Sequence, residues 1–293
     1  MTSELTAVAK PVAPQTVWTE EVHWLDRIPR SVAMLLLLCI FVAVWQSVYS
    51  LRLISHIIMP SPIETVVDII TVATNLLTGD YMLRALWITT QEVLAGFVIA
   101  VVLGFSLGLL VGETAFGERA VMPYLVGINA APKVAFAPLF VSWLGFGIAS
   151  KVALSAFVAI FPVIVGTAAG IHAADQNSRM LFRTMGATRW QTLTKLKLPY
   201  GMPHFFGGLK NASVLVVVGA VVGEFLGGGK GFGELIRMAA SMINTPRVFA
   251  LIIFLSLLGL GMFWAVIHAQ RKLIFWHKET VADEMLEKSP PEN

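Results

Sequence analysis

Apolar residues in this chain fall into long, nearly unbroken runs rather than into the stripes of a water-soluble helix bundle. The first run, 31–51, is interrupted only by Gln46, serines and Tyr49, and is long enough for a bilayer core, which takes ~20 helical residues. Thirty mixed-charge residues precede it and no small-residue cleavage site follows, so it reads as a retained span and not a cleaved signal. Further runs predict spans at 86–111, 121–146, 152–171, 205–225 and 248–274. The expected fold class is therefore all-α, a polytopic membrane protein of about six transmembrane helices.

Departures from uniform hydrophobicity shape the intervening segments. Over 52–85 the pattern is amphipathic: Pro60-Ser61-Pro62 breaks the chain, then Ile63, Val66, Val67, Ile70, Ala73, Leu76 and Leu77 recur at helical spacing, predicting a surface-lying helix. In the second span Gly96, Ala100, Gly104, Gly108 and Gly112 recur every four residues. Such a small-residue stripe lets helix backbones approach in lipid, where no hydrophobic drive exists, and reads as a packing seam or a pore lining. Asn129, Pro132-Lys133 and Pro138 interrupt the third span. Irregular backbone at membrane depth is tolerated only within protein or beside water, so this segment is expected to face the subunit interior. Pro162 is expected to bend the fourth span.

Composition agrees. Hydrophobic residues make up 56% and charged residues 13% of the 293, against roughly 25% charged in a soluble domain. The net charge is +3, and the basic residues sit in short clusters beside apolar spans without aromatic interleaving, which excludes a nucleic-acid surface and leaves a topology signal. The 172–204 loop holds Arg179, Arg183, Arg189, Lys195 and Lys197 against Asp175. The positive-inside rule places it in the cytoplasm, and six spans put both termini there too. Arg27 and Arg30, and Arg271, Lys272 and Lys278, agree; Lys230, Arg237 and Arg247 in the external 226–247 segment run against the trend. Three regions result: a cytoplasmic tail at 1–30, a membrane domain at 31–277 with its loop at about 172–204, and a cytoplasmic tail at 278–293. The lone Cys39 leaves the redox compartment open.

Catalytic chemistry is missing from the pattern. In Gly227-Gly228-Gly229-Lys230-Gly231-Phe232-Gly233, Glu224 occupies the first glycine position of a phosphate loop and Gly231 follows the lysine. The run reads as a flexible external turn. His23, His56, His172, His204, His268 and His277 have no metal-ligand spacing, and no serine sits in a nucleophile elbow. No catalytic residue, no metal and no cofactor of its own is expected for this chain.

The loop carries Arg183-Thr184-Met185-Gly186-Ala187-Thr188-Arg189-Trp190, followed by Leu196-Lys197-Leu198-Pro199 and Gly201-Met202-Pro203. Gly186 would let a short helix turn tightly. Asp175 to Ser178 offers caps, Pro199 and Pro203 are expected to stop a helix and redirect the chain into the fifth span, and Trp190 can anchor the element at the interface. This resembles the signature cytoplasmic loop of binding-protein-dependent ABC importer permeases: Glu-Ala-Ala, three residues, Gly, nine residues, Ile-x-Leu-Pro. Gly186, the spacing and Leu198-Pro199 match, with Leu196 for the isoleucine; Met180, Leu181 and Phe182 replace Glu-Ala-Ala, so that acidic contact is missing. The stretch Pro132-Lys133-Val134-Ala135-Phe136-Ala137-Pro138-Leu139-Phe140, with Trp143, Gly145, Gly147 and Ser150-Lys151, is similar to the branch importing nitrate, sulfonates, taurine and bicarbonate, which also holds importers of thiamine-pyrimidine and riboflavin-type precursors. The stretch from Gly219 to Phe225, with Gly231-Phe232-Gly233, looks closer to the pyrimidine-precursor members.

The resemblance covers roughly 50–277. It implies a homodimeric permease in a bacterial inner membrane, two cytoplasmic ATPase subunits that use ATP and Mg, and a periplasmic or lipoprotein solute-binding protein outside. Residues Arg179, Arg183, Gly186, Ala187, Thr188, Arg189, Trp190, Leu198 and Pro199 would couple to the ATPase, the 176–198 helix carrying its motion to the spans for alternating access. Strongly polar groups at membrane depth usually face a cavity, which makes Glu92, Asn129, Lys133, Asn211 and Glu224 candidates for the solute pathway. Structural roles compete: Glu92 paired with Lys133, and Asn211 as an interhelical hydrogen bond. The alternative is an ion-gradient-driven secondary transporter, which predicts an inverted repeat and paired broken helices; the two halves show no convincing repeat.

Overall fold

A computed structural model describes residues 29–79 and 81–276, which divide into two units at Leu53. The tail assignments at 1–28 and 277–293 lie outside the described residues. Within the first unit the described helix is α1 (Arg30–Ser50), apolar on all sides. The second unit contains α2 (Pro62–Leu77), α3 (Tyr81–Glu113), α4 (Met122–Ala130), α5 (Ala137–Leu144), α6 (Ile148–His172), α7 (Gln176–Thr184), α8 (Arg189–Thr192), α9 (Leu198–Gly227), α10 (Phe232–Ser241) and α11 (Thr245–Leu273). The described residues include five helices long and apolar enough to cross a membrane, and a sixth span if the bent pair around α4 and α5 counts as one.

The small-residue stripe is a packing seam. A Cβ on Gly96 would come 2.6 Å from that of Ser155, one on Gly104 2.7 Å from Val163, and one on Gly112 2.9 Å from Ile171. The facing residues on α6 also recur every fourth position, so two matched ridges close without intervening side chains. Helix α6 meets α9 as tightly: a Cβ on Gly170 would lie 2.6 Å from the Gly201 carbonyl oxygen, and one on Gly219 2.6 Å from Ser155 Cα. Helix α6 is thus clamped between α3 and α9.

Helix α2 begins where Ser61-Pro62 predicts. Ser61 Oγ accepts from the Glu64 N–H at 3.1 Å and the Glu64 carboxylate accepts from the Ser61 N–H at 2.8 Å, a reciprocal cap. Thr65 and Val72 are buried while Ile63, Val66, Val67 and Ile70 are exposed. In a membrane protein the apolar face is stable outward, and Thr65 is accommodated inside by bonding its hydroxyl to the Ser61 carbonyl at 3.0 Å.

Three expectations are corrected. The interrupted third span folds as two short helices bent by 87°, joined through a tight turn at Lys133–Phe136. Helix α4 has no buried residue, so in the single chain this half of the segment lies at the surface, while α5 buries Ala137 against Leu154 and Val158 of α6. Pro199 and Pro203 do not stop a helix: it runs without interruption over Arg189–Gly227. A widened turn at Leu193–Lys197 precedes Pro199, and a longer-reach hydrogen-bond register there makes room for a ring that lacks an N–H. Nor is the glycine run a loose turn, since Phe232 is fully buried and α10 follows directly.

Candidate functional site

Helix α6 ends above the loop singled out in the sequence. Asp175 caps α7 by accepting from the Ser178 N–H at 3.2 Å. Arg179 folds back, its Nη2 reaching the Ile171 and His172 carbonyls at 3.1 and 2.9 Å and so satisfying the open C-terminus of α6. Helix α7 closes with Gly186 at φ +73°, the Ala187 N–H reaching the Phe182 carbonyl at 3.0 Å; a left-handed residue there suits glycine. Thr188 then starts α8 with a reciprocal cap, its Oγ1 accepting from Gln191 N–H at 3.2 Å while Gln191 Oε1 accepts from Thr188 N–H at 2.8 Å. Both helices of the elbow are capped, yet Met180, Leu181, Arg183, Met185, Arg189 and Trp190 on it are exposed. Ala187, Leu198 and Pro199 are half-buried. Where α8 passes into α9, Lys197 Nζ holds Glu113 at the end of α3 at 2.7 Å.

At the other end of α9 lies a buried ionic cluster. Lys151 on α6 places Nζ 3.1 Å from Glu92 Oε1 on α3, with both side chains almost wholly buried. Glu92 accepts no well-aligned hydrogen bond among the described residues. Thr89, one turn earlier on α3, donates to Glu224 Oε1 at 2.6 Å and accepts from the Phe232 N–H at 2.7 Å. Glu224 also accepts from the Gly233 N–H. The turn wraps this carboxylate so closely that a Cβ on Gly231 would overlap it. On α10, Arg237 binds Glu234 through Nε at 2.8 Å, and this hydrogen bond holds the Glu234 carboxyl below the usual carboxylate range.

Lys133 stands apart from Glu92, so the anticipated pair does not form. Its ammonium reaches the Val158 carbonyl at 3.3 Å and lies 5.6 Å from the Phe161 ring centroid. Val158 precedes Pro162 by four positions, and Pro162 lies inside α6; a proline supplies no N–H to that carbonyl. Lys133 therefore provides the donor that Pro162 lacks. Of the five candidate pathway residues, Glu92 and Glu224 come together in the buried cluster; Asn129 on α4 and Lys133 at the break are half-buried, and Asn211 on α9 is exposed. Lys151 and Thr89 were passed over as site residues. For Lys151 the signal was present, an ammonium in an apolar run; a threonine carries none.

A bundle knitted by small residues, with buried charge at one end and a capped, exposed elbow at the other, has the build of a membrane transport subunit. Comparison makes this specific: the family of binding-protein-dependent transport system inner membrane components matches residues 100–274, and the chain belongs to it. It is a multi-pass inner-membrane permease of ABC-importer type, of a family that works with an ATPase and a solute-binding protein. The formylaminopyrimidine transport permease ThiX of Halalkalibacterium halodurans is 37% identical over 80% of this chain and 92% of its own length. The riboflavin permease RibX of Chloroflexus aurantiacus is 31% identical over 83% and 88%. The putative aliphatic sulfonates permease SsuC of Bacillus subtilis is 31% identical over 83% and 86%. In fold, the chain is similar to a chain of the MetNI methionine ABC transporter in inward-facing form, with TM-score 0.57, 18% identity, and 66% of this chain and 95% of the other covered.

Proposed function

We propose that this chain imports a small polar or anionic solute as one of two identical permease copies, with the α7–α8 elbow seated in a cytoplasmic ATPase subunit on each copy. The elbow carries this reading. It is capped at both helices and turned at Gly186, yet exposes Met180, Arg183, Met185 and Trp190, and an exposed apolar-and-basic element is suited to docking. ATP and Mg belong to that partner, and this chain holds no cofactor. The elbow side is cytoplasmic by its basic bias, with both termini on the same side. The half-exposed break between α4 and α5 supports a second copy, since irregular backbone in lipid needs cover from protein or water. The solute comes from a binding protein on the opposite face, and the names of the relatives make a thiamine-pyrimidine or riboflavin-type precursor, or a nitrate-, sulfonate- or taurine-like anion, the classes to test.

Affinity purification in mild detergent, alongside the double variant Gly186→Pro/Arg183→Glu, tests the reading. Copurification of a P-loop ATPase with the native chain and its loss from the variant is expected. No ATPase, together with uptake that follows an ion gradient and ignores ATP, would replace it with the secondary-transporter reading.

A further inference from the structure

Four phenylalanines gather on one side of the α4–α5 break: Phe136 from the turn, Phe140 from α5, and Phe157 and Phe161 from α6. The Phe136 and Phe157 centroids are 5.3 Å apart at 56°, and those of Phe140 and Phe157 5.5 Å at 51°. The rings tilt against one another in steps and do not stack face to face. All four are half-exposed, whereas Leu154 and Val158 on the adjoining face of α6 are buried. Lipid contact alone would explain bare phenylalanine, but this wall also carries a charge. Lys133 spends one of its three N–H donors on the Val158 carbonyl and has two for an acceptor. An ammonium and irregular backbone at membrane depth both call for water or a polar guest.

We propose that this wall is the intramembrane solute site, that it takes a planar heteroaromatic solute stacked on Phe157 with Phe136 and Phe140 meeting it at an angle, and that Lys133 binds a carbonyl or anionic group on the ring. The proposal rests on the importer reading and narrows its solute. A pyrimidine or flavin ring presents a π-face to one phenylalanine and its edges to the tilted neighbours; nitrate or an aliphatic sulfonate offers only the acceptor, and the aromatic wall would then be surplus.

ATP-dependent uptake is measured in vesicles holding the permease with its copurifying ATPase and binding protein. The solutes are radiolabelled formylaminopyrimidine, riboflavin, taurine and nitrate. Uptake of a heterocycle should fall about tenfold in Phe140→Leu/Phe157→Leu and survive in Phe140→Tyr/Phe157→Tyr, each read against the amount of assembled complex. Photolabelling of the native complex with azido-riboflavin or an azido-pyrimidine needs no variant: label on peptides within 133–161 is expected, and label only elsewhere overturns the site. Unchanged heterocycle uptake in the leucine variant, or equal loss of uptake and ATP hydrolysis in the leucine and tyrosine variants, also overturns it. ATP-driven uptake confined to taurine or nitrate leaves the importer standing and removes this site. No ATP-driven uptake of any solute removes the importer reading itself.

Discussion

Replacing Lys151 by methionine leaves the Glu92 carboxylate, 1% exposed, without its ammonium. At the observed 3.1 Å and an effective dielectric near 20, the lost attraction is about 5 kcal/mol. Desolvation of each ion costs several kcal/mol, so the intact pair contributes little net, whereas a widowed buried charge costs about 3–5 kcal/mol. The reverse single change, Glu92→Gln, is milder by the same reasoning, because an ammonium on a long stem can move toward the Gly229 turn, where a Cβ would meet Nζ at 2.6 Å. The double variant Glu92→Gln/Lys151→Met removes both charges and should recover most of the loss, giving a coupling energy of about 2 kcal/mol or more. Reversible unfolding in mixed micelles, run as a double-mutant cycle, reads this directly. Additive single effects, or a double variant no better than Lys151→Met, would refute the account and leave Lys151 acting through packing alone.

The same substitution should have opposite signs at two glycines. Gly108→Ala drives a Cβ to 2.5 Å from Thr167 Cβ in the α3–α6 seam and should cost about 1–3 kcal/mol, whereas Gly207→Ala meets nothing within 4 Å and should gain about 0.5–1 kcal/mol of helix propensity; thermal melting in detergent distinguishes them. Thr89→Val removes both hydrogen bonds that tie Glu224 and the Phe232 N–H to α3, at about 1–3 kcal/mol for the groups left unpaired. Faster proteolysis at the 228–233 turn is the expected sign, with Thr89→Ser close to native.

Much of the fold was legible because lipid makes spans simple to read: four of the helices begin and end within a few residues of the apolar runs, whereas the third run breaks in two and the fifth helix starts well before its run. The seam was legible for a related reason, since small residues at fourfold spacing have few other uses. The elbow followed from Gly186 and its flanking caps. What the sequence concealed depended on partners far along the chain. Lys133 and Glu92 looked like a pair because both are charged at depth, but Glu92 meets Lys151 across the seam, and Lys133 answers the proline-freed carbonyl on α6. Pro199 was misread because a proline near a helix start breaks nothing when the preceding turn widens. Which face of α2 packs on the protein was not legible, because periodicity finds an apolar side without saying whether lipid or protein covers it.

The clamp on α6 has a mechanical consequence. With α3 and α9 locked to it at backbone distance, the three helices have no slack to slide, and sliding past one another would require those glycines to part. They should therefore turn together as a block. The helix from Arg189 to Gly227 runs unbroken through that block, from the exposed elbow to the carboxylate gripped by the glycine turn, a rod of ~60 Å at 1.5 Å per residue. A push at one tip is then delivered at the other as displacement, because the whole block moves with the rod.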